Sequence, residues 1–148
     1  MAVLVSGTVS AKGIDRRTLA RKAKAALEAL GLGGSELSVS LVRDDEIREL
    51  NHRYRGKDRA TDVLAFALRE GEFGAVGGAL GDVVISVDTA RRQAREHRGA
   101  LPDEVDRLLV HGILHLAGYD HEMSPREERR MQRKERDVRA RLRRTFCR

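Results

Sequence analysis

The sequence is short of cysteine and of aromatic residues, and each shortage excludes a class of structure. The single cysteine, Cys147, can form neither an intrachain disulfide nor a thiolate cluster for a metal, which fits a reducing cytoplasm. Aromatic residues make up 3% of the 148 residues and tryptophan is absent, so aliphatic side chains must fill the core. A binding surface built on stacked aromatics is therefore not expected. Residues 1–5 have neither a basic leader nor a long apolar run, so we expect neither secretion nor membrane insertion.

Basic residues outnumber acidic ones, and the excess lies in the C-terminal part of the chain. The sequence has 29 Lys and Arg against 23 Asp and Glu, a formal net charge of +6. Residues 125–148 hold 11 Lys and Arg against 4 Asp and Glu, which gives this segment +7 and the first 124 residues −1. A basic segment is attracted to polyanions such as RNA.

The spacing of apolar residues predicts one α+β domain over residues 1–148. Caps at Asp15, at Asp44 or Asp45, and at Ser124 indicate the starts of three helices. The predicted strands span 2–10, 36–42, 61–68 and 82–87, and two more helices span 88–98 and 101–116. The glycine-rich stretch 71–81 is interpreted as a hairpin connection.

The last predicted helix, at about 124–145, is basic and has a thin apolar stripe. Ser124 is the predicted N-cap, and Pro125 occupies the first helical position. Glu127 is placed to bond back to the backbone N–H of the cap. The stripe consists of Met131, Val138 and Leu142. One edge of this helix should pack on the domain while the rest stays exposed.

Three of the five histidines fall in one stretch, residues 111–121, which reads HGILHLAGYDH. The apolar residues around the first two predict a helix. His111 and His115 are four residues apart, so both side chains lie on the same face of that helix and can bind one ion.

The third histidine can join them only if the helix stops. His121 would point away from His115 in a continuous helix. Gly118 lies between them, and glycine adopts the left-handed conformation that ends helices without steric cost. The chain can then turn back and bring His121 to the same ion.

Three imidazoles without a fourth protein ligand are typical of a catalytic zinc site, which keeps one position open for water or substrate. The spacing HxxxHxxGxxH is also that of metzincin peptidases. Peptidases with the HExxH motif have a glutamate as general base after the first histidine, whereas this chain has Gly112. A zinc peptidase therefore stays as an alternative that lacks its catalytic carboxylate, and a non-catalytic metal site is a further one.

The segment 53–59 is a second candidate site, since it contains four basic residues beside Asp58 and leads into a predicted strand. Arginine presents a rigid fork that can hold two phosphate oxygens at once. By composition alone, a solvated run of charges is the simpler interpretation.

The histidine stretch resembles the signature HGxLHLxGYDH of the YbeY family of bacterial rRNA-maturation endoribonucleases. The resemblance extends over about residues 36–122 and includes, in order, the segments Leu50-Asn51, Tyr54-Arg55-Gly56-Lys57, Thr61-Asp62-Val63-Leu64 with Phe66, and Gly81-Asp82-Val83-Val84-Ile85-Ser86. The family usually has proline where this chain has Ala60 and Ala67, and often serine where it has Ala65. None of these differences removes a metal ligand or a charge.

The resemblance implies a mixed four-stranded sheet with helices packed on it and a metal-dependent endoribonuclease that cleaves single-stranded RNA. It implies a role in 16S rRNA 3′-end maturation and ribosome quality control, with the small ribosomal subunit as partner and no DNA or membrane partner. One Zn²⁺ would be held by His111, His115 and His121, with His115 also taking part in catalysis. Arg55 would steady the scissile phosphate, and Lys57 would bind substrate beside it.

Three questions stay open at this point. Asp62, Asp82 and Asp120 are alternative proton acceptors, and three imidazoles also accept nickel, copper or iron. Asp82, at the predicted start of a strand, could also orient a histidine ligand, although a simple turn former is the preferred interpretation. Besides the peptidase, an RNA-binding ribosome assembly factor with a structural metal is the other alternative function.

Overall fold

The computed structural model describes residues 3–67, 79–119 and 124–146. Within these ranges strands and helices follow one another in the predicted order. The elements are β1 (Val3–Gly7), α1 (Arg16–Ala29), β2 (Glu36–Val42), α2 (Asp44–Arg55), β3 (Val63–Ala67), β4 (Ala79–Ser86), α3 (Val87–Glu96), α4 (Leu101–Leu116) and α5 (Pro125–Phe146).

The four strands form one mixed sheet in the order β1-β2-β4-β3. β1, β2 and β4 are parallel, and β3 pairs antiparallel with β4. Among the described strands, β3 pairs with β4 alone and therefore forms an edge of this sheet. This confirms the predicted α+β fold with a mixed four-stranded sheet, whose strand order the sequence could not indicate.

The core lies mainly between the sheet and the helices α1, α4 and α5. α4 is buried along most of its length, with Leu109, Ile113 and Leu114 fully covered. A smaller cluster on the other face of the sheet joins α2, through Ile47, to Leu64 and Val84. Because α2 and α4 cover opposite faces, the edge strand β3 lies between them.

The thin apolar stripe of α5 is buried as predicted, with Met131, Val138 and Leu142 all at most 3% exposed. The Ser124 hydroxyl accepts a hydrogen bond from the Glu127 backbone N–H at 3.1 Å, which confirms the predicted cap. α5 therefore packs by one edge against the domain. Among the described residues, none of the helices is both long and apolar enough to cross a membrane.

Several predicted strand boundaries were wrong. β1 ends at Gly7 instead of residue 10, and β3 begins at Val63 instead of Thr61. β4 begins at Ala79, three residues before the predicted start, so Asp82 lies inside the strand. Its pairing with β2 continues to Ala79 past an irregularity in register, and the glycine-rich composition obscured this part of the strand. Residues 68 and 71–78, which belonged to the predicted strand and connection, lie outside the described residues.

The predicted cap of α2 was also wrong. The N-cap position is Arg43, whose backbone N–H donates to the side chain of Glu46 at 3.4 Å. Asp44 is the first helical residue, and its carboxylate is used elsewhere. It accepts hydrogen bonds from Ser86 and Thr89, both at 2.6 Å, at the start of α3. Asp44 thus joins two helices instead of capping one.

These contacts predict a pH-dependent contribution of Asp44 to stability. Burial acts to raise the pKa of Asp44, but hydrogen bonds from Ser86, Thr89 and Arg92 outweigh it and lower the pKa below 3.8. Asp44→Asn should lower the free energy of unfolding by about 1–3 kcal/mol at neutral pH. Because the folded pKa is depressed, this stabilisation is complete above the unfolded pKa of about 3.9 and is lost as the pH falls through the folded pKa.

Urea denaturation of the two proteins between pH 7 and about pH 3 would measure the difference. The exposed neighbour provides the control, since Asp45→Asn should change stability by less than about 0.5 kcal/mol. Equal losses at Asp44 and Asp45, or a loss at Asp44 that persists unchanged at about pH 3, would contradict this role.

Candidate metal centre and phosphate-binding cleft

The end of α4 has the geometry that the histidine stretch predicts. The Tyr119 backbone N–H donates to Leu114 O at 3.0 Å, and the Gly118 N–H donates to His115 O at 3.1 Å. This is the Schellman arrangement, in which the residue after the C-cap adopts a left-handed conformation. Gly118 has φ 102°, so glycine is required here, and the chain leaves the helix one turn after His115.

The first two histidines converge as predicted. The Nε2 atoms of His111 and His115 are 3.2 Å apart, and their rings make an interplanar angle of 72°. Two imidazole ligands in a tetrahedral zinc site, each about 2.0–2.1 Å from the ion, would have nitrogens about 3.3 Å apart. The observed separation fits two adjacent corners of such a site.

The third predicted ligand, His121, lies outside the described residues, as does Asp120. Among residues 3–67, 79–119 and 124–146, no group of three or more His, Cys, Asp or Glu side chains is arranged to hold an ion. The described geometry therefore supplies two ligands and a helix end that redirects the chain. His121 stays a prediction.

The described site residues line a single cleft of about 690 Å³ between the α2–β3 segment and α4. His111 and His115 form one wall, and Arg55 and Lys57 form the other. The cleft also contains side chains that the sequence did not single out as site residues. These are Asn51, Thr61 and Tyr119, and they are joined by Arg59, which belongs to the candidate segment 53–59 but was given no role of its own.

Arg55 is held at the edge strand with most of its donors available. Its Nη2 donates to the Ala65 backbone carbonyl at 3.0 Å, and its guanidinium carbon lies 5.8 Å from the centre of the Phe66 ring. A guanidinium has five N–H donors, so several can still reach a bound phosphate. The cap Gly56, with φ 69°, ends α2 directly after Arg55 and turns the chain towards Lys57.

The one acid among residues 53–59 does not neutralise the cleft arginine. Asp58 accepts a hydrogen bond from Arg48 Nε at 2.8 Å, and this bond lowers the pKa of Asp58. Arg53 likewise pairs with Glu49 at 3.0 Å on the exposed side of α2. The cleft wall therefore keeps a positive charge, which favours an anionic ligand.

Arg59, the last residue of the candidate segment 53–59, also lines the cleft. Asn51, which is 3% exposed, donates from Nδ2 to the Arg59 backbone carbonyl at 2.9 Å. This bond fixes the loop after α2. A buried asparagine shortly before a basic segment was the available signal, but its partner could not be identified without the fold.

The structure distinguishes between two of the candidate proton acceptors. Asp62 lines the cleft, and its two oxygens accept hydrogen bonds from the Val63 N–H at 2.8 Å and from Gln93 Nε2 at 3.2 Å. Asp82 precedes Val83, whose side chain faces α4, and successive side chains of a strand point to opposite faces. Asp82 therefore faces away from the histidines. Of these two candidate proton acceptors, only Asp62 lines the cleft.

Gly112 explains why the glutamate of the HExxH motif is absent. A Cβ atom at this position would lie 2.8 Å from Val83 Cγ1 and 3.3 Å from Val63 Cγ2. The residue after the first histidine thus packs against the sheet, where a glutamate side chain has no room. A peptidase of the HExxH plan would need its general base in a position that this fold uses for close helix–sheet packing.

A network of polar side chains on α3 and α4 connects Asp62 with the protein surface. Gln93 links Asp62 to Arg107, which donates to the buried carboxylate of Glu104. Burial opposes the charge on Arg107, but the hydrogen bond to Glu104 and the nearby carboxylates raise its pKa. His97 Nδ1 lies 3.3 Å from Glu104, and its side chain is 58% exposed, in line with its predicted place at the surface.

Comparison with known proteins adds the decisive observation. The family model for "Endoribonuclease YbeY" matches residues 8–143. The chain belongs to the endoribonuclease YbeY family. This confirms the resemblance carried by the histidine stretch and extends it to α1 and most of α5, where the sequence showed no recognisable motif.

Two curated YbeY relatives are similar over most of their length. The Endoribonuclease YbeY of Aquifex aeolicus is 56% identical over 120 residues, which cover 81% of this chain and 79% of the relative. That of Geobacter metallireducens is 47% identical over 140 residues, 93% of each chain. A solution structure from Thermotoga maritima has the same fold with a TM-score of 0.67 at 31% identity, covering 97% of this chain and 91% of the other.

Proposed function

We propose that this YbeY-family protein is a zinc-dependent endoribonuclease that cleaves single-stranded RNA. The observation that carries the proposal is the cleft in which His111 and His115 face Arg55 and Lys57. Family membership supports the reaction class, and the cleft supports a phosphodiester substrate.

The donor set fits a zinc ion held by His111, His115 and His121. Neutral imidazoles leave the ion its full positive charge, and a bound zinc ion supplies Lewis-acid chemistry at a phosphate oxygen. The 3.2 Å separation of the two Nε2 atoms supports the fit. The described helix end at Gly118 supports the return of the chain towards these atoms.

Arg55 and Lys57 are proposed to bind the phosphate of the scissile bond. Arg55 is placed to stabilise negative charge that grows on the phosphate oxygens in the transition state. Lys57 adds a point charge on the same wall, and Asp62, in its hydrogen-bonded position, is the described candidate for accepting a proton. The first step of substrate binding is thus an ion pair with the backbone of RNA.

The size of the cleft favours a flexible single strand. Pockets of about 300–1,000 Å³ hold ligands of drug size, so a cleft of about 690 Å³ has room to enclose one or two nucleotides. Recognition of RNA in such sites depends on unpaired nucleotides that can be splayed out. The basic helix α5 borders the cleft, since Arg130 lies 4.9 Å from the ring of Tyr119, and it can add attraction to the RNA backbone.

The biological setting that we propose is cytoplasmic maturation of the 16S rRNA 3′ end and quality control of the small ribosomal subunit. Membership of the endoribonuclease YbeY family is consistent with this setting and supports it. A non-catalytic assembly factor would need the same RNA-binding surface. RNA binding alone does not require a phosphate-binding arginine beside a metal site, so this combination favours the nuclease.

The proposal can be tested with purified, tag-free protein loaded with Zn²⁺. The substrates are a single-stranded RNA, the same RNA annealed to its complement, a single-stranded DNA and casein. We expect cleavage of the single-stranded RNA only, its loss with a chelator and its recovery when Zn²⁺ is returned. Cleavage of casein would support the peptidase instead, and RNA binding without cleavage by the zinc-loaded protein would support the assembly factor.

A further inference from the structure

One carboxylate oxygen of α5 is buried beside the histidine site without a hydrogen-bond donor. Among the described residues, Glu135 Oε1 is inaccessible to solvent and accepts no hydrogen bond, and the side chain is 17% exposed. An unsatisfied buried acceptor costs about 1–3 kcal/mol, and more if it is charged. Such a group in a folded protein needs a reason.

An imidazole nitrogen of the candidate metal centre lies close to this oxygen. His111 Nδ1 lies 3.5 Å from Glu135 Oε1 across the interface between α4 and α5. Hydrogen bonds from nitrogen to oxygen are usually about 2.7–3.2 Å long, so this pair is slightly too far apart for a good one. A small rotation of either side chain would close the gap.

The chemistry of the two groups determines which of them donates the hydrogen bond. An ionised carboxylate is only an acceptor, so His111 must carry its proton on Nδ1 to satisfy Glu135. The other ring nitrogen, Nε2, then has a lone pair. That is the nitrogen that lies 3.2 Å from Nε2 of His115.

Arg107 on α4 interacts electrostatically with Glu135 on α5. Arg107, one turn before His111, is close enough for the carboxylates of Glu104, Asp62 and Glu135 to help raise its pKa.

We propose that Glu135 is a positioning residue for the metal centre. It fixes the tautomer and the ring orientation of His111, so that Nε2 is presented to the ion together with Nε2 of His115. Carboxylates hydrogen-bonded to histidine ligands commonly have this effect and contribute 10–100-fold to metal affinity, as an order of magnitude. The proposal rests on the metal site of the proposed function, and it gives α5 a second role besides attraction to RNA.

The competing explanation is that Glu135 merely joins α4 to α5. Both explanations predict some loss of stability in Glu135→Ala. Only the positioning role predicts a change in the tautomer of His111 in the metal-free protein and a weaker affinity for Zn²⁺ in a folded variant. The experiment therefore measures these two quantities.

The tautomer is read from the ¹⁵N chemical shifts of histidine-labelled, metal-free protein at about pH 8, with His111→Ala used to assign the signals. Zn²⁺ affinity is measured by competition with a chromophoric chelator. We expect His111 to carry its proton on Nδ1 in the parent, and to lose that preference in Glu135→Ala together with about 10–100-fold in affinity. Asp137→Ala, which removes an exposed carboxylate from the same helix, should match the parent in both.

Glu135→Gln keeps the size of the side chain and a neutral acceptor, so it should fold even if Glu135→Ala does not and should show a smaller loss of affinity. An unchanged affinity in a folded Glu135 variant would overturn the proposal, whether or not the tautomer changes. A parent that binds no Zn²⁺ would refute the proposed function instead, while the tautomer would still report whether Glu135 orients His111.

Discussion

His115→Ala should lose metal binding and RNA cleavage together, with the cleavage rate reduced at least about 1,000-fold. The side chain lies in the cleft with its Nε2 3.2 Å from that of His111, so its removal takes away one of the proposed ligands. Metal ions contribute several kcal/mol to charge stabilisation in such reactions, and about 4 kcal/mol corresponds to 1,000-fold in rate. Cleavage of a fluorescent single-stranded RNA and Zn²⁺ binding are measured on the same preparation.

His97→Ala is the matched control for this prediction, since His97 is an exposed histidine that contacts Glu104 and does not line the cleft. It should retain both metal and activity. If His115→Ala cleaves RNA at the parent rate, the activity comes from another site or from a contaminating nuclease. If it binds metal as tightly as the parent while losing activity, His115 has a role other than that of a ligand.

Arg55→Ala should separate the two functions by keeping the metal and losing cleavage. The guanidinium stands on the wall opposite the histidines, held by Ala65 and Phe66, where it can contact a phosphate. Removal of one preorganised donor to transition-state charge typically costs about 100–1,000-fold in rate. Zn²⁺ affinity should stay within about twofold of the parent, because Arg55 is not placed as a ligand.

Two further variants sharpen this prediction. Arg55→Lys should recover only part of the rate, since lysine lacks the planar fork that holds two oxygens. Arg53→Ala removes an arginine from the same helix that pairs with Glu49 on the exposed side, and it should change the rate little. A rate in Arg55→Ala equal to that of Arg53→Ala would reduce the role of Arg55 to general attraction for RNA.

The parts of the fold that depend on local pattern could be predicted from the sequence. α4 has the predicted bounds because its apolar spacing is regular. Gly118, in the left-handed conformation, follows its C-cap and stops the helix. The cap at Ser124 is another local signal, and the structure contains it. The convergence of His111 and His115 follows from the helix period alone.

The parts that depend on contacts distant in sequence could not be predicted. The packing of α4 on Val83 determines which side chains of β4 face the histidines, and Asp82 is not among them. The same tertiary arrangement places Asp62 in the cleft. Glu135 and His111 are 24 residues apart in the sequence, and they meet only because α5 packs on α4. Gly112 looked like a missing catalytic glutamate, whereas it is a packing position against Val83.

The most direct test of the metal centre is elemental analysis of the parent protein and of His115→Ala, both purified without a histidine tag. We predict one transition-metal ion per chain in the parent, zinc when zinc is supplied, and less than about a tenth of an ion in the variant. A parent without bound metal, or a variant that keeps its full complement, would contradict the assignment of this histidine stretch as a metal centre.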